Sequence, residues 1–372
     1  MRRQFIVVAL ALLFVSAVAV SADEAVLMDF SLLKIDGVQD ETTKQNTQNK
    51  ATMMDFSGTA GASYTDAQKK QMRTSLAIPN WDVVLASSSR SNMNQALSMT
   101  AEVPVPEKAA TYGGKTVLGV RVHFPVGSFN SWARVVPPFE IPAYEPQADI
   151  GDDGAVTAKK PEDQAQNGPN GTRLSRFEGS YDSNSKVTTA YGVVKNVGTI
   201  KTLAVTVRGL NFPEGLSVIL LDADGNEKIM FMGYLNFDGW KELRWENPQY
   251  VTDVRNRELR IYPLYPKTTP FVKFGGFIIT RDAADEGGDF VAYVKDVKIL
   301  YDKATLINDG EDIDNESVWG IVGQKEAQRK LEESKRFGNQ QVLRYMEREK
   351  QETSTEFASD NANASSTSSG NK

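Results

Sequence analysis

The eight residues VLGVRVHF at positions 117–124 carry apolar side chains at every second position, namely Leu118, Val120, Val122 and Phe124. A hydrophobic period of two is that of a β-strand, because successive side chains point to opposite faces of a sheet. The intervening positions are less apolar, so this segment predicts a strand with one face against a core.

Similar patterns extend outward along the chain. Residues 203–208 alternate in the same way, and the apolar run 216–221 precedes the turn-forming sequence DADGNE at 222–227 and the apolar sequence IMFM at 229–232. This order predicts a β-hairpin. Further strands are predicted at 259–261, 271–280 and 290–301. Since parallel α/β folds need long amphipathic helices between strands, the sequence predicts an antiparallel sandwich of jelly-roll, galactose-binding-like type.

The C-terminal region predicts a helical extension of this sandwich. Over 324–351, Glu326 and Glu332 each precede a basic residue by four positions, which is the favourable order on a helix. Four apolar residues form a thin stripe, and Gly338 is expected to break or bend the helix. The residues of the stripe are Ala327, Leu331, Val342 and Met346. A shorter helix is predicted at 66–73, with Asp66 as its N-cap.

Composition divides the chain into segments with different properties. The sequence 145–172 is rich in Pro, Gly, Asp, Gln and Asn, which predicts a loop insertion within one sandwich. The predicted organisation is a signal peptide at 1–22, an N-terminal arm at 23–73, a β-sandwich at 74–303, an acidic connector and helical extension at 304–352, and a disordered Ser/Thr/Asn-rich tail at 353–372.

The first 22 residues have the layout of a secretory signal peptide. Arg2 and Arg3 precede an apolar segment from Phe5 to Val20, and small residues follow before Asp23. The apolar segment is short for a membrane span, so cleavage and export of a soluble protein are expected. Without Arg2 and Arg3 the 42 basic residues become 40, which against 48 acidic residues gives a net charge of −8.

Composition also excludes several classes of function. The chain has no cysteine and a single histidine, His123, which removes disulfide frameworks, thiol catalysis and Cys- or His-rich metal sites. The acidic balance argues against nucleic acid or an anionic membrane as a partner. What remains is a binding or structural protein, or an enzyme that works with carboxylates alone.

Individual candidate residues have plain structural explanations. His123 is expected on a half-exposed strand face, and the cluster Asp222, Asp224, Asn226 and Glu227 lacks the full spacing of a calcium loop, so it is expected to form a tight turn. The acidic run 309–316 is expected to be a solvated linker. No catalytic, cofactor-binding or metal-binding residue is assigned, and no cofactor is expected.

The tryptophans keep one alternative function open. Sandwiches of this type also bind sugars on exposed aromatic rings, and paired carboxylates could hydrolyse glycosides. A secreted carbohydrate-binding module or carboxylate-only glycosidase is therefore the alternative. Packing is nevertheless favoured for each tryptophan, and Trp240 and Trp245, five residues apart in a strand, should lie on opposite faces. The tryptophans are Trp81, Trp132, Trp240, Trp245 and Trp319.

Four segments resemble the outer-layer (sheath) proteins of spirochaete flagellar filaments, whose flagella lie within the periplasm. They are LAIPNWDVVLASSS at 76–89, GVRVHFPVGSFNSWARVVPPFEIP at 119–142, LDADGNEKIMFMGYLNFDGWKELRW at 221–245 and GGFIITRDAADEGGDFVAYVKDVKILYD at 275–302. The resemblance implies a non-enzymatic, periplasmic structural subunit. Such a subunit would coat the core flagellin filament, modulate its stiffness and shape for motility, and contact neighbouring copies of itself.

A coat of this kind needs one contact to the core and another between copies, and the second must be head-to-tail in order to propagate. From the sequence, the candidate contact segments are the predicted mobile arm at 39–50, the insertion at 145–172 and the charged helix at 324–351. No nucleic acid is expected as a partner, and no membrane after the signal peptide is cleaved.

Overall fold

The computed structural model describes residues 23–34, 63–72, 75–143, 191–250, 270–303, 332–333 and 335–350, together with six short strands and the single residues Thr52 and Phe177. The predicted signal peptide, the acidic run 309–316, the tail, Trp319 and the predicted strand at 259–261 lie outside the described residues. So do most of 39–50 and 145–172, and positions 327 and 331 of the predicted helical stripe.

In chain order, the strands are β1 (Asp23–Asp29), β2 (Val38–Gln39), β3 (Asn46–Thr47), β4 (Asp82–Leu85), β5 (Met99–Pro104), β6 (Thr116–Phe124), β7 (Ser131–Val136), β8 (Ala148–Ile150), β9 (Val156–Ala158), β10 (Ser180–Asp182), β11 (Val187–Thr189), β12 (Val193–Lys195), β13 (Val197–Leu210), β14 (Gly215–Leu221), β15 (Glu227–Tyr234), β16 (Asp238–Glu246), β17 (Phe271–Arg281) and β18 (Gly288–Lys303). The helices are α1 (Asp66–Gln71), α2 (Asn92–Leu97) and α3 (335–350), and 3₁₀ turns lie at Phe30–Leu32 and Ile78–Asn80.

Two sheets form the sandwich. Sheet one has eight strands in the order β10-β11-β1-β18-β13-β16, and β6 lies against the first half of β18 with β5 outside it. Sheet two has six strands in the order β15-β14-β17-β7-β4, and β12 pairs with the start of β17. Among the described strands, every pairing is antiparallel except that of β1 with β11. The antiparallel sandwich predicted from the sequence is confirmed.

The core lies between the two sheets and has the expected periodicity. In β13, Leu203, Val205 and Val207 are each 0% exposed, as the alternation predicted. Sheet two contributes a matching row in which Val218 of β14 is paired with Phe277 of β17 and Phe277 with Val135 of β7. All of these side chains belong to one cluster. Burial of alternate positions is what fixes the register of these strands.

The N-terminal boundary of the sandwich differs from the predicted one. Residues 23–29, assigned from the sequence to an arm, form β1, which pairs with β18 inside sheet one. Leu27 and Met28 are each 0% exposed. The short strand has few residues to display an alternation, and its burial on both faces is decided by β11, β18 and β12 around it.

The two predicted helices also differ in detail. The N-cap of α1 is Thr65 rather than Asp66, with a reciprocal capping box between Thr65 and Gln68. α3 continues through Gly338, so the predicted break is wrong. Gly338 is buried there, and a residue without a side chain allows close approach of the helix to the sandwich. Within the described residues, no helix is long and apolar enough to span a bilayer.

Candidate assembly surface

The outward face of sheet one is charged, and its charges are paired among themselves. Arg121 and His123 of β6 both bind Asp289 of the neighbouring strand β18, with Nη2–Oδ1 and Nδ1–Oδ1 distances of 3.0 and 2.9 Å. The hydrogen bond from His123, together with Arg121, holds the pKa of Asp289 below its usual value. Glu242 likewise binds Arg244, and Lys295 binds Asp296. This face therefore presents neutralised ion pairs rather than a charged patch.

The outward face of sheet two has the opposite character. Five of its side chains are large, apolar and exposed by 36% to 53%, and we call them the apolar outer face: Val84, Trp132, Ile229, Phe231 and Tyr234. Register shows that they share one side of the sheet. Across neighbouring strands, Tyr234 is paired with Gly215, Gly215 with Thr280, and Thr280 with Trp132. The next row of paired residues on the same side of the sheet includes Phe231 and Val84.

Small residues create a shallow trough in this face. Gly215 and Thr280 separate Tyr234 from Trp132, three strands apart, which at about 4.8 Å per strand is about 14 Å. Phe231 and Tyr234 form one wall, with ring centroids 5.3 Å apart. The Phe231 ring lies over Gly215, where an added Cβ would come within 2.8 Å of it. The trough therefore has aromatic walls and a small, partly polar floor.

An ion pair crosses the same face. Arg134 of β7 donates two hydrogen bonds to Glu227 at the start of β15, at 3.2 and 3.1 Å. Its guanidinium also lies 5.8 Å from the centroid of the Trp132 ring. The pair joins β7 to β15, which β14 and β17 separate. The exposed parts of the five side chains sum to roughly 400 Å², divided by this ion pair into a group on β15 and a group on β7 and β4.

A buried arginine supports the end of this surface. Arg281, the last residue of β17, is 1% exposed. Its Nη1 donates to the carbonyl of Pro125 at 2.6 Å, and its Nη2 donates to those of Gly127 and Phe129 at 2.6 and 2.7 Å. The guanidinium also stacks near the rings of Phe124 and Phe129. This clamp closes the loop between β6 and β7 and so positions the start of β7, where Trp132 lies.

α3 docks near the β4 edge of sheet two, on the outward side of the sheet and beside the apolar outer face, because Asp82 lies on the same side of β4 as Val84. Phe337 is 2% exposed and packs on Phe139 with ring centroids 5.2 Å apart. Gln341 and Arg344 donate to the carbonyls of Pro138 and Pro137 at 2.5 and 3.0 Å. We call the receiving surface the docking groove, which comprises Asp82, Arg90, 137–141 and Lys273.

Ion pairs surround this aromatic contact. Arg344 binds Asp82 at 2.9 Å, and Arg90 binds Glu347. Glu140 accepts from the buried Lys273 at 2.9 Å and from Arg336 at 2.9 Å. Burial by itself would raise the pKa of Glu140, but these two cations outweigh it and hold the pKa below its ordinary value. Burial lowers the pKa of Arg344 to about 10, so it stays protonated at neutral pH.

Of the predicted apolar stripe, Ala327 and Leu331 lie outside the described residues, Val342 packs against the core as predicted, and the prediction for Met346 is wrong. Val342 is half-buried and Met346 is 42% exposed, whereas Phe337, Gln341 and Tyr345 face the sandwich. These three residues are spaced four positions apart, so they lie on one face of the helix. Because the middle residue, Gln341, is polar, a search for apolar residues at helical spacing does not detect this face. The partner of Gln341 is a carbonyl of the sandwich, which the sequence does not specify.

The residues singled out as possible catalytic or metal sites have structural partners. His123 lies on a half-exposed strand face, bound to Asp289. Asp222 Oδ1 accepts from the backbone N–H groups of Asp224 and Asn226 at 3.0 and 2.9 Å, which closes the predicted hairpin turn. Burial opposes ionisation of Asp222, but these bonds lower its pKa. Across the described part of the chain, no three acidic or histidine side chains converge on a point that could hold a metal ion.

The tryptophans divide between core and surface. Trp81 is 2% exposed, packs on Phe30 and donates its indole N–H to the carbonyl of Leu76 at 2.8 Å. Trp245 is partly buried against the core, whereas Trp240 contacts Tyr112 with ring centroids 5.0 Å apart. Trp132 belongs to the apolar outer face.

Sequence analysis missed Phe231 and Tyr234, although a signal was present. In EKIMFMGY, residues 227–234, Ile229 and Phe231 alternate with Met230 and Met232, so both faces of the strand are apolar. β15 is nevertheless the edge of sheet two and covers the core with one face only. An edge strand that is apolar on both faces carries a surface-exposed apolar row.

Glu214 is a buried acid, with only 4% of its surface exposed. Burial raises its pKa, and the nearby Asp285 adds to this effect. Its Oε2 is buried and has no hydrogen-bond partner. Glu214 is therefore a cost to stability at neutral pH rather than an accessible acid.

Comparison with known proteins identifies the family of the chain. A family model described as "Flagellar filament outer layer protein Flaa" matches residues 45–309. The chain is 48% identical to the flagellar filament outer layer protein of Treponema pallidum over 96% of each chain, and 43% identical to that of Spirochaeta aurantia over 95% of each. Among solved structures, a carbohydrate-binding module of the β-sandwich superfamily matches with a TM-score of 0.26 and 12% identity, over 60% of this chain and 57% of the other. The chain belongs to the family of flagellar filament outer layer proteins.

Proposed function

We propose that this protein is a non-enzymatic coat subunit of a periplasmic flagellum, which binds the core flagellin filament and neighbouring copies of itself. On this proposal an N-terminal signal peptide, residues 1–22, is cleaved on export. The coat would stiffen the filament and bias its shape, and so affect motility. Membership of the outer-layer family supports the structural role.

The observation that carries the proposal further is the apolar outer face of sheet two. A folded subunit gains stability by removing such a surface from water, at about 25 cal/mol per Å² of apolar area. The outward face of sheet one offers less, because it exposes fewer large apolar side chains, chiefly Met99 and Leu210, and carries ion pairs such as Arg121–Asp289. We therefore assign a principal assembly contact to the apolar outer face.

Co-sedimentation with purified core flagellin filaments tests this function. The chain from Asp23 onward should pellet with filaments in a saturable manner. Because the contact is apolar, pelleting should persist at 1 M salt, where charges are screened within about 3 Å. Loss of pelleting at high salt would refute the apolar contact, and absence of pelleting at every salt concentration would refute the coat function.

Matched variants locate the contact. Phe231→Ser and Trp132→Ser, exposed by 48% and 41%, should each reduce the bound fraction several-fold. Met93→Ser, 71% exposed on α2 and outside the apolar outer face, is the matched control and should bind as the unaltered chain does. A thermal unfolding scan of each variant separates loss of contact from loss of fold. Binding of a polysaccharide panel that depends on Trp132 would instead favour the carbohydrate-binding alternative.

A further inference from the structure

The contact between α3 and the sandwich has the composition of an interface between separately folded parts. It has an aromatic centre at Phe337 and Tyr345, and around it lie ion pairs such as Arg344–Asp82 and Arg336–Glu140. Interfaces between domains are more polar than a core in this way. A lone helix of this length is marginal in water, so α3 depends on a docking groove for its stability.

The sandwich provides that groove from its own strands and turns. Pro137 and Pro138 fix the chain after β7, and their carbonyls receive hydrogen bonds from Arg344 and Gln341. Phe139 of the same segment is 1% exposed. The groove is therefore defined by the sandwich fold and accepts any α3 that reaches it, from its own chain or from another.

The two ends of the connecting chain lie close together in the fold. Lys303, the last residue of β18, is paired with Val197, whose N–H donates to the carbonyl of Pro270 at 3.2 Å. Pro270 precedes Lys273 by three residues, and Lys273 binds Glu333 at 3.4 Å. With strands about 5 Å apart and about 3.3 Å per extended residue, the ends are within roughly 30 Å of each other.

The connecting chain is much longer than this path. Residues 304–331 number 28, whereas roughly ten extended residues would span the distance. Fully extended, the segment reaches about 90 Å. A folded unit of this size is about 45 Å across, so the docking groove of an adjacent copy lies within reach.

We propose that α3 is exchanged between neighbouring subunits in the coat, so that the helix of one copy occupies the docking groove of the next. This inference rests on the proposed coat function. Exchange uses contacts that the chain already makes within itself and needs no second complementary surface. In the coat the exchange runs head-to-tail, because each copy gives its helix to one neighbour and receives a helix from the other, and it therefore propagates along a row of subunits, whereas reciprocal exchange between two copies would close as a dimer.

Assembly makes exchange competitive with docking inside one chain. In a free subunit, the short distance between the chain ends gives the chain's own groove a high effective concentration of α3. In the coat, an adjacent groove is held permanently within reach of the same connecting chain, which reduces this internal advantage. Exchange then links subunits that the apolar outer face has already brought together.

Cross-linking tests the exchange directly because the chain has no cysteine of its own. Arg90 and Glu347, one in the groove and one on α3, are in contact, and their side chains are 43% and 47% exposed. Single variants Arg90→Cys and Glu347→Cys, mixed in equal amounts on core filaments, are treated with a short bismaleimide. As a matched control, Arg208→Cys, exposed on the outward face of sheet one, is mixed with Glu347→Cys.

Exchange predicts covalent dimers in the pellet of the first mixture. With equal amounts of the two variants, about one junction in four places the Glu347→Cys helix in an Arg90→Cys groove, and each such junction links two subunits. The dimers should therefore contain up to about half of the subunits. The control mixture should stay monomeric. The double variant with both cysteines should cross-link within one chain in solution and form a ladder on filaments. Pelleting without dimers, with the double variant still cross-linked internally, would overturn exchange and leave the coat function intact. Failure to pellet would refute the coat function and, with it, the exchange.

Discussion

The clamp formed by Arg281 makes a quantitative prediction about stability. Its guanidinium donates three hydrogen bonds of 2.6 to 2.7 Å to the carbonyls of Pro125, Gly127 and Phe129. Hydrogen bonds from a charged donor contribute about 1.5–3 kcal/mol each, so their gross loss in Arg281→Met would be roughly 5–9 kcal/mol. Two effects reduce this figure.

The first effect is that the loop carbonyls can be rehydrated, since Val126 in the same loop is 89% exposed. The second is that methionine removes the cost of burying a charge, which is several kcal/mol for a buried cation. We therefore expect Arg281→Met to lower the free energy of unfolding by about 2–4 kcal/mol. For a sandwich of this size that corresponds to a fall in Tm of roughly 5–15 °C.

Urea denaturation followed by circular dichroism measures the change in unfolding free energy. Arg208→Met, on the exposed outward face of sheet one, is the matched control and should change it by less than about 0.5 kcal/mol. Limited proteolysis should also cleave Arg281→Met near Phe129 faster than the unaltered chain, because the loop loses three tethers. A loss below about 1 kcal/mol, with the loop equally protected, would refute the clamp.

Three further predictions concern other parts of the molecule. Burial raises the pKa of Glu214 above its ordinary value, so the fold favours its neutral form and is destabilised by its charge at pH 7. Glu214→Gln should therefore raise the midpoint of urea unfolding at pH 7, and this gain should disappear below pH 4.5. An unchanged midpoint at pH 7 would contradict this. The pKa of Glu140 is lowered, so the contribution of its carboxylate to α3 docking is present above pH 4.5 and is lost as the pH falls through the lowered pKa. Hydrogen exchange of residues 335–350 should therefore accelerate at acidic pH. The acceleration should be smaller in Glu140→Gln, because that variant lacks the carboxylate at every pH. Since His123 is bound to an exposed carboxylate, His123→Gln should change the unfolding free energy by less than about 1 kcal/mol and leave filament pelleting unchanged; loss of pelleting by a folded His123→Gln protein would show that the histidine has a role in assembly.

The sheets could be predicted because their determinants are local. The alternation at 117–124, the buried run at 216–221 and the turn sequence 222–227 each specify a strand or a turn from side-chain polarity and backbone preference alone. The same holds for the structural explanation of Asp222, whose carboxylate closes its own turn. The family resemblance likewise came from contiguous segments and is confirmed by the matching family model.

The apolar outer face and the docking groove could not be predicted, because they are made by residues distant in sequence. Phe231 and Trp132 share a face only because β14 and β17 lie between their strands in register, and Arg281 acquires its partners from a loop more than 150 positions away.

The sequence by itself determined the β-sandwich, its hairpin and the absence of cysteine chemistry, since these follow from periodicity, turn residues and composition. The tertiary structure alone decided which apolar side chains stay outside the core and where α3 docks. The physical reason is that exposure and long-range ion pairing, as at Arg344 and Asp82, depend on strand order and register rather than on neighbouring residues.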